Sequence, residues 1–445
     1  MMRLLRSSAI VAAVVVLWGS GGVVPAPVAS ASRAATPGSV LVKDINLGPG
    51  SAASPTTAPL VDVDGTIFFG ANDGVHSNIL WKTDGTRATT EIVRPDHPVH
   101  IAYDPGSIAA PIASNGRLYF VGGAIRGPTL WRSDGTPSGT RPIGTFPGTI
   151  GSLVNVRGTV YFTAGDRQLW KVDRRKATLV MSVGQDAGIS SLTNAHGTLF
   201  FVSSARHLGL ELWRTNTSGD GTRLVRDLVT RPGVGSNPNG LTPVGRTLFF
   251  TARRGRTGNE LYKSDGTKSG TVLVRDIVPG PTGSFLSNLV ESGGRLFFTD
   301  CPSVPHFCTM LWTSDGTAGG TVPLPAEARD ATDVDGTLFF FSGGVPDSLW
   351  RSDGSVGGTV LVRQLNGGYG ITAAGDTAFM SARAQTMGTE LWRSDGTKAG
   401  TRLVDDINPG QPSAFPFDLT AARGSVFFWA NDGVHGVELW KSVPP

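Results

Sequence analysis

Residues 390–407 read Glu-Leu-Trp-Arg-Ser-Asp-Gly-Thr-Lys-Ala-Gly-Thr-Arg-Leu-Val-Asp-Asp-Ile, and degenerate copies of this stretch fill the 445-residue chain. The tryptophan returns as Trp81, Trp131, Trp170, Trp213, Trp312, Trp350, Trp392 and Trp440, with Tyr262 in its place once. Nine copies about 45 residues apart define a repeat protein. In such a chain no unit buries its own apolar surface alone, so each must stack on its neighbours. The gaps between markers run 50, 39, 43, 49 and then 50, 38, 42, 48 residues, so a block of four units is duplicated and a ninth is added.

Each unit holds four short apolar runs. In the first they are residues 60–63, 66–69, 79–82 and 90–93, separated by Asp64-Gly65, an Asn-Asp-Gly loop and Asp84-Gly85. Apolar runs of this length bounded by Asp-Gly read as hairpin strands. Outside the first thirty residues no window shows a helical period. Neighbours such as Phe68 and Phe69 point to opposite faces of a strand, and a small sheet apolar on both faces must be covered on both. The reading is an all-β chain forming a single β-propeller of four-stranded blades. Repeat count gives nine blades, or eight if one degenerate unit forms none. The last unit stops after its third strand at Trp440, while an orphan fourth strand, residues 40–45, precedes the first unit. Pairing the two closes the ring and removes both free sheet edges.

The N-terminus reads as a targeting segment. Arg3 and Arg6 precede an apolar run at 9–18, too short to span a bilayer, and Ala29-Ser30-Ala31 has the small residues of a cleavage site. Residues 1–31 are expected to be a signal peptide and 32–445 the propeller: secreted or cell-surface, monomeric, with no membrane span in the mature chain. Removing two arginines and no acids takes the formal charge from +4 to +2. That net charge is too small to argue for nucleic acid or an anionic membrane. Cys301 and Cys308 share one loop and, in an exported chain, are expected to form a disulfide. His306 between them invites a metal reading, but a fourth ligand is missing. No metal and no cofactor are expected.

The turn Ser394-Asp395-Gly396-Thr397 combines a glycine suited to positive φ with side chains that accept from turn amides. It recurs at Asp84, Asp134, Asp265, Asp315 and Asp353. So many copies of one turn argue for a structural role over calcium binding, and the recurrent tryptophans are read in the same way. Unit three breaks the rule, with Asp173-Arg174-Arg175 and no glycine; unit four carries Asn216-Thr217-Ser218, a glycosylation sequon by pattern. At Glu390-Leu391-Trp392 with Asp395-Gly396-Thr397, and at Glu260-Leu261 with Asp265-Gly266-Thr267, the chain resembles the bacterial ELWxxDGT-repeat family. The resemblance covers nearly all of the expected mature chain and implies an exported, propeller-like bacterial protein. It brings no catalytic residue. The short aspartate turn is also similar to the Asp-box hairpin of sialidase-type propellers, without their arginine cluster.

Loop asymmetry gives the functional expectation. In an up-and-down blade the first-to-second and third-to-fourth turns share one face, which here is built from tight repeats such as Asp64-Gly65, Asn115-Gly116 and Asp335-Gly336. The other face carries the variable loops, where binding residues tend to sit on a rigid scaffold. Its candidates are His97 and His100, with Asp96 and Asp104 near them, and Arg253, Arg254 and Arg256; each also reads as a solvated connector. His76 and His435 occupy matching Asn-Asp-Gly-Val-His loops. No nucleophile elbow, zinc-protease helix, phosphate loop or aromatic-basic stripe is present. The expectation is a binding scaffold for a protein or glycan, with its ligand near the axis on the variable face. The alternative is a secreted propeller hydrolase or lyase acting on glycans.

Overall fold

Tight turns at regular intervals cut the chain into short antiparallel strands. The structure, a computed structural model, describes residues 38–443 apart from 58, 95, 98, 104–108, 124–126, 174, 205–207, 217–220, 232, 301–309, 344–346 and 385. The expected signal peptide, Asp104, Thr217 and Ser218 of the sequon, and the expected Cys301–Cys308 disulfide with His306 lie outside the described residues. Thirty-six strands form nine separate four-stranded sheets, and no helix occurs among the described residues. In the first blade the strands are Val61–Val63, Thr66–Ala71, Ile79–Thr83 and Glu91–Ile92. Asp64 and Gly65 join the first pair with φ of 51° and 87°. Both are positive, the turn geometry whose twist matches a hairpin.

The apolar residues on the two faces of each sheet enter different interfaces. Phe68 packs toward the second blade with Leu80, Leu118 and Phe120, whereas Phe69 packs toward the ninth with Trp81, Phe427 and Trp429. Phe249 and Phe250 divide in the same way between the sixth and fourth blades. There are nine buried clusters, one for each pair of adjacent blades. The first strands meet one another in sequence, and that of the ninth blade meets that of the first. The molecule is a nine-bladed β-propeller. Within a blade the third-strand aromatic stacks on its cross-strand phenylalanine: Phe120 on Trp131 at 6.3 Å, Phe298 on Trp312 at 6.1 Å, and Phe250 on Tyr262 at 6.0 Å. Directly opposed aromatic pairs add to sheet stability beyond their buried area.

Head meets tail as the sequence requires. Ser39–Lys43 is the outer strand of the ninth blade, with Ser39 opposite Ser442, Val40 opposite Lys441 and Leu41 opposite Trp440. Glu438 fastens the joint by accepting the N–H of Ile45 at 2.8 Å and of Asn46 at 3.1 Å. On the inner strand, Asp418 accepts Leu60 N–H at 2.6 Å, which ties the ninth blade to the first. Burial pushes the Asp418 carboxyl up to about 7.

Candidate functional site

The repeated turn is a closed hydrogen-bond circuit. Ser394 Oγ accepts Gly396 N–H at 3.1 Å and lies 2.7 Å from Thr401 Oγ1. Asp395 Oδ1 accepts the N–H and the hydroxyl of Thr397 at 2.8 and 2.7 Å, and Thr397 Oγ1 accepts Gly400 N–H at 2.9 Å. The Thr397 hydroxyl, first among these groups, holds the Asp395 carboxyl below its ordinary range. The same aspartate–threonine contacts recur at Asp134, Asp265 and Asp315; Asp84 adds Thr89, and Asp353 accepts from Ser355 N–H. Trp81, Trp213 and Trp392 are buried, while Trp131, Trp312, Trp350 and Trp440 are partly buried against interface clusters.

Residues that the sequence reading left without a role clamp the connections between blades. Glu211, Glu260, Glu390 and Glu438 are fully buried. Each accepts backbone N–H groups from the chain that leaves the fourth strand: Ser236 for Glu211, Ile277 and Val278 for Glu260, Ile407 and Ala414 for Glu390. Burial is the largest influence on all four; it pushes Glu211 and Glu390 up to about 7 and Glu438 to about 8, and it raises Glu260.

In two blades a second contact joins the third strand to the turn of the next blade. The lysine after the third-strand aromatic donates to the carbonyl of the turn glycine ahead in the first and fifth blades, Lys82 Nζ to Gly135 O at 2.8 Å and Lys263 Nζ to Gly316 O at 2.8 Å, whereas Arg214 and Arg351 lie beside Gly266 and Gly396 without that bond. Arg132 holds this position in the second blade. The turn ahead of it, in the third blade, is the one that lost its glycine, and it closes instead as a short hairpin with Asp173 opposite Lys176. Arg132 is 8% exposed and makes no hydrogen bond or ion pair among the described residues. Its guanidinium borders a cleft, so water or a ligand oxygen can reach it.

A basic cleft opens where the repeat fails. One part, of about 480 Å³, is walled by Arg117, Arg132, Asp134, Arg141 and Arg175. The adjoining part, of about 430 Å³, shares Arg117, Arg132 and Arg175 and adds Arg157 and Asp173. All five arginines flank first-to-second or third-to-fourth turns, so the cleft belongs to the tight-turn face. Arg157 is braced by His196 O at 3.0 Å. The arrangement is several guanidinium groups around a space open to solvent, which suits a carboxylate, sulfate or phosphate oxygen.

The candidates named from the sequence do not converge. On the outer edge of the first blade Leu80 pairs with both Val93 and Val99, its carbonyl accepting Val93 N–H at 3.0 Å and its N–H donating to Val99 O at 2.9 Å. His97 therefore faces the turn of the second blade in a cleft with Arg94, Asp96, Ser138 and Arg141. His100 instead places Nδ1 2.7 Å from Ser77 O. Arg253 and Arg254 end the second strand of the fifth blade, and Arg256 is exposed in the hairpin beyond. Arg254 enters a cleft of about 800 Å³ with Arg226, Arg231 and Lys268. His76 and His435 repeat one another, with Nδ1 3.1 and 2.7 Å from Asp73 and Asp432. The arginine cleft was missed because its arginines come from two adjacent blades, spread over residues 117–175, and only the stacking of those blades brings them together.

No family model matches the chain. A curated protein-glutamate methylesterase/protein-glutamine glutaminase of Desulfitobacterium hafniense (strain Y51) is 26% identical over 175 residues, 37% of this chain. The chain spans 44% of that protein's length. Among solved structures, puromycin hydrolase aligns with 85% of this chain and 58% of its own at 15% identity and a TM-score of 0.44. The computationally designed Ika8 protein aligns over 88% and 98% at 15% identity and a TM-score of 0.42. A Mycobacterium tuberculosis puromycin-hydrolyzing peptidase aligns over 73% and 58% at 11% identity and a TM-score of 0.40. These are likenesses of fold alone.

Proposed function

We propose that this chain is an exported recognition scaffold of the ELWxxDGT-repeat kind, and that it binds an anionic group in the cleft between its second and third blades. The observation that carries the reading is Arg132, which makes no hydrogen bond or ion pair among the described residues and lines the same cleft as Arg117, Arg141, Arg157 and Arg175. A ligand oxygen in the cleft is gripped by Arg132, and Arg117 and Arg175 add charge from two sides. This places the ligand on the face opposite the one that loop length favours. Binding is preferred over glycan hydrolysis because the glutamates raised to about 7 or 8 are fully buried and tied to backbone amides, away from any substrate.

Inorganic sulfate is the first probe. A ligand that binds only the folded state raises its melting temperature by mass action. Sulfate also stabilises proteins non-specifically, so the readout is the difference between variants. Arg132→Gln is expected to lose most of the sulfate-dependent rise, while Lys263→Gln, which cuts a satisfied contact elsewhere, keeps it. Equal rises in both variants would refute the assignment.

A further inference from the structure

The arginine cleft does not end at the second blade. Its outer part shares Ser138, Arg141 and Pro142 with the cleft that holds Arg94 and His97. Its inner part shares Arg117, Arg132 and Arg175 with the cleft that reaches Arg157 and Gly158. Three hollows with common walls form one groove from the rim of the first blade, across the second, to the third. Cations recur along it, from Arg94 through Arg141 and Arg132 to Arg157. A single small anion uses one of these positions. A chain with a charge on successive units uses them all.

We propose that the groove holds a linear anionic polysaccharide, its carboxylate or sulfate groups on the arginines. The proposal rests on the anion-binding reading of Arg132 and extends it to the ligand's class. One feature of the lining favours a sugar polymer over a nucleic acid. Single-stranded nucleic acid is gripped by exposed aromatic faces, whereas the aromatic residue of the groove, Tyr119, is 4% exposed. The neighbouring turn explains why the groove occurs here. Elsewhere the Asp-Gly-Thr turn sits against the preceding blade, with Gly135 close to Phe68 and Lys82, and Gly316 close to Phe249 and Lys263. The third blade's short hairpin brings no such glycine against Arg132.

The test is calorimetric titration of the purified mature chain at low salt with galacturonic acid, its oligomers of increasing length, neutral dextran and oligothymidylate. Affinity is expected to rise at least about tenfold from monomer to hexamer and to weaken steeply with added salt. Dextran is expected not to bind, and Arg94→Ser and Arg157→Ser to weaken only the longer oligomers. In a second variant the residues between Val172 and Lys176 are replaced by a copy of residues 394–400. Its new turn sits against Arg132 as the other turns sit against the blade before them and fills that part of the groove, so it is expected to fold and to lose binding. If the monomer binds as tightly as the hexamer, the groove is wrong and the single anion site stands. If oligothymidylate binds more tightly than the uronate oligomers, the ligand class is wrong. If no anion, sulfate included, binds at low salt, both this proposal and the reading beneath it fail.

Discussion

Gly396 shows how much one residue of the repeat is asked to do. Its φ is +84°, and an added Cβ would lie 3.2 Å from the Phe339 ring of the preceding blade. Gly→Ala there combines backbone strain with a crowded interface. Gly396→Ala is expected to lower the free energy of unfolding by about 1–3 kcal/mol in urea denaturation; an unchanged midpoint would contradict the packing described. This glycine was legible in the sequence, because positive φ belongs to a residue and its turn. Arg132 was not. Its meaning lies in the arginines of the next blade, some forty residues on, with which it shares a cleft, and nothing in its own unit marks it out.

At the scale of the element, the glutamate of the Glu-Leu-Trp motif works as a latch on the connection to the next blade. Glu438 is raised to about 8 from an ordinary value of 4.5, and Glu211 and Glu390 to about 7, burial being the main cause. Each folded carboxyl holds its proton more tightly than the unfolded chain does. The stabilisation is therefore complete below about 4.5 and is lost as pH rises through 7 to 8. Melting temperature is expected to fall between pH 5 and pH 9, and Glu438→Gln to flatten that slope; a slope unaltered by the substitution would show that the proton resides elsewhere. The latch was hidden because the partners of Glu211, Glu260 and Glu390 lie 17 to 25 residues downstream and those of Glu438 lie at the other end of the chain. The hairpins were readable because their partners are local: Asp64-Gly65 and Asn115-Gly116 announce them. His97 and His100 are three residues apart in the sequence but part in the structure, His97 toward the turn of the second blade and His100 toward Ser77 O.

For the whole molecule, stacking followed from the apolar residues on both faces of each strand, and closure from an orphan strand at one end and a missing one at the other. Nine interfaces of similar make leave no sheet face bare. Opening the ring exposes Glu438-Leu439-Trp440 as an unpaired edge and strips Glu438 of the amides of Ile45 and Asn46. Deleting residues 38–46 is expected to replace one cooperative melt by a broad, aggregating transition in differential scanning calorimetry. The most direct measurement of the central claim is a cross-link between the two ends. Val40 and Lys441 are opposed in the closing pair, within the reach of a disulfide. With Cys301 and Cys308 replaced by serine, Val40→Cys with Lys441→Cys is expected to oxidise almost completely within the monomer, read as a shifted non-reducing gel band. Thiols that remain free in the folded monomer, or that link only between molecules, would contradict a ring closed by its own first strand.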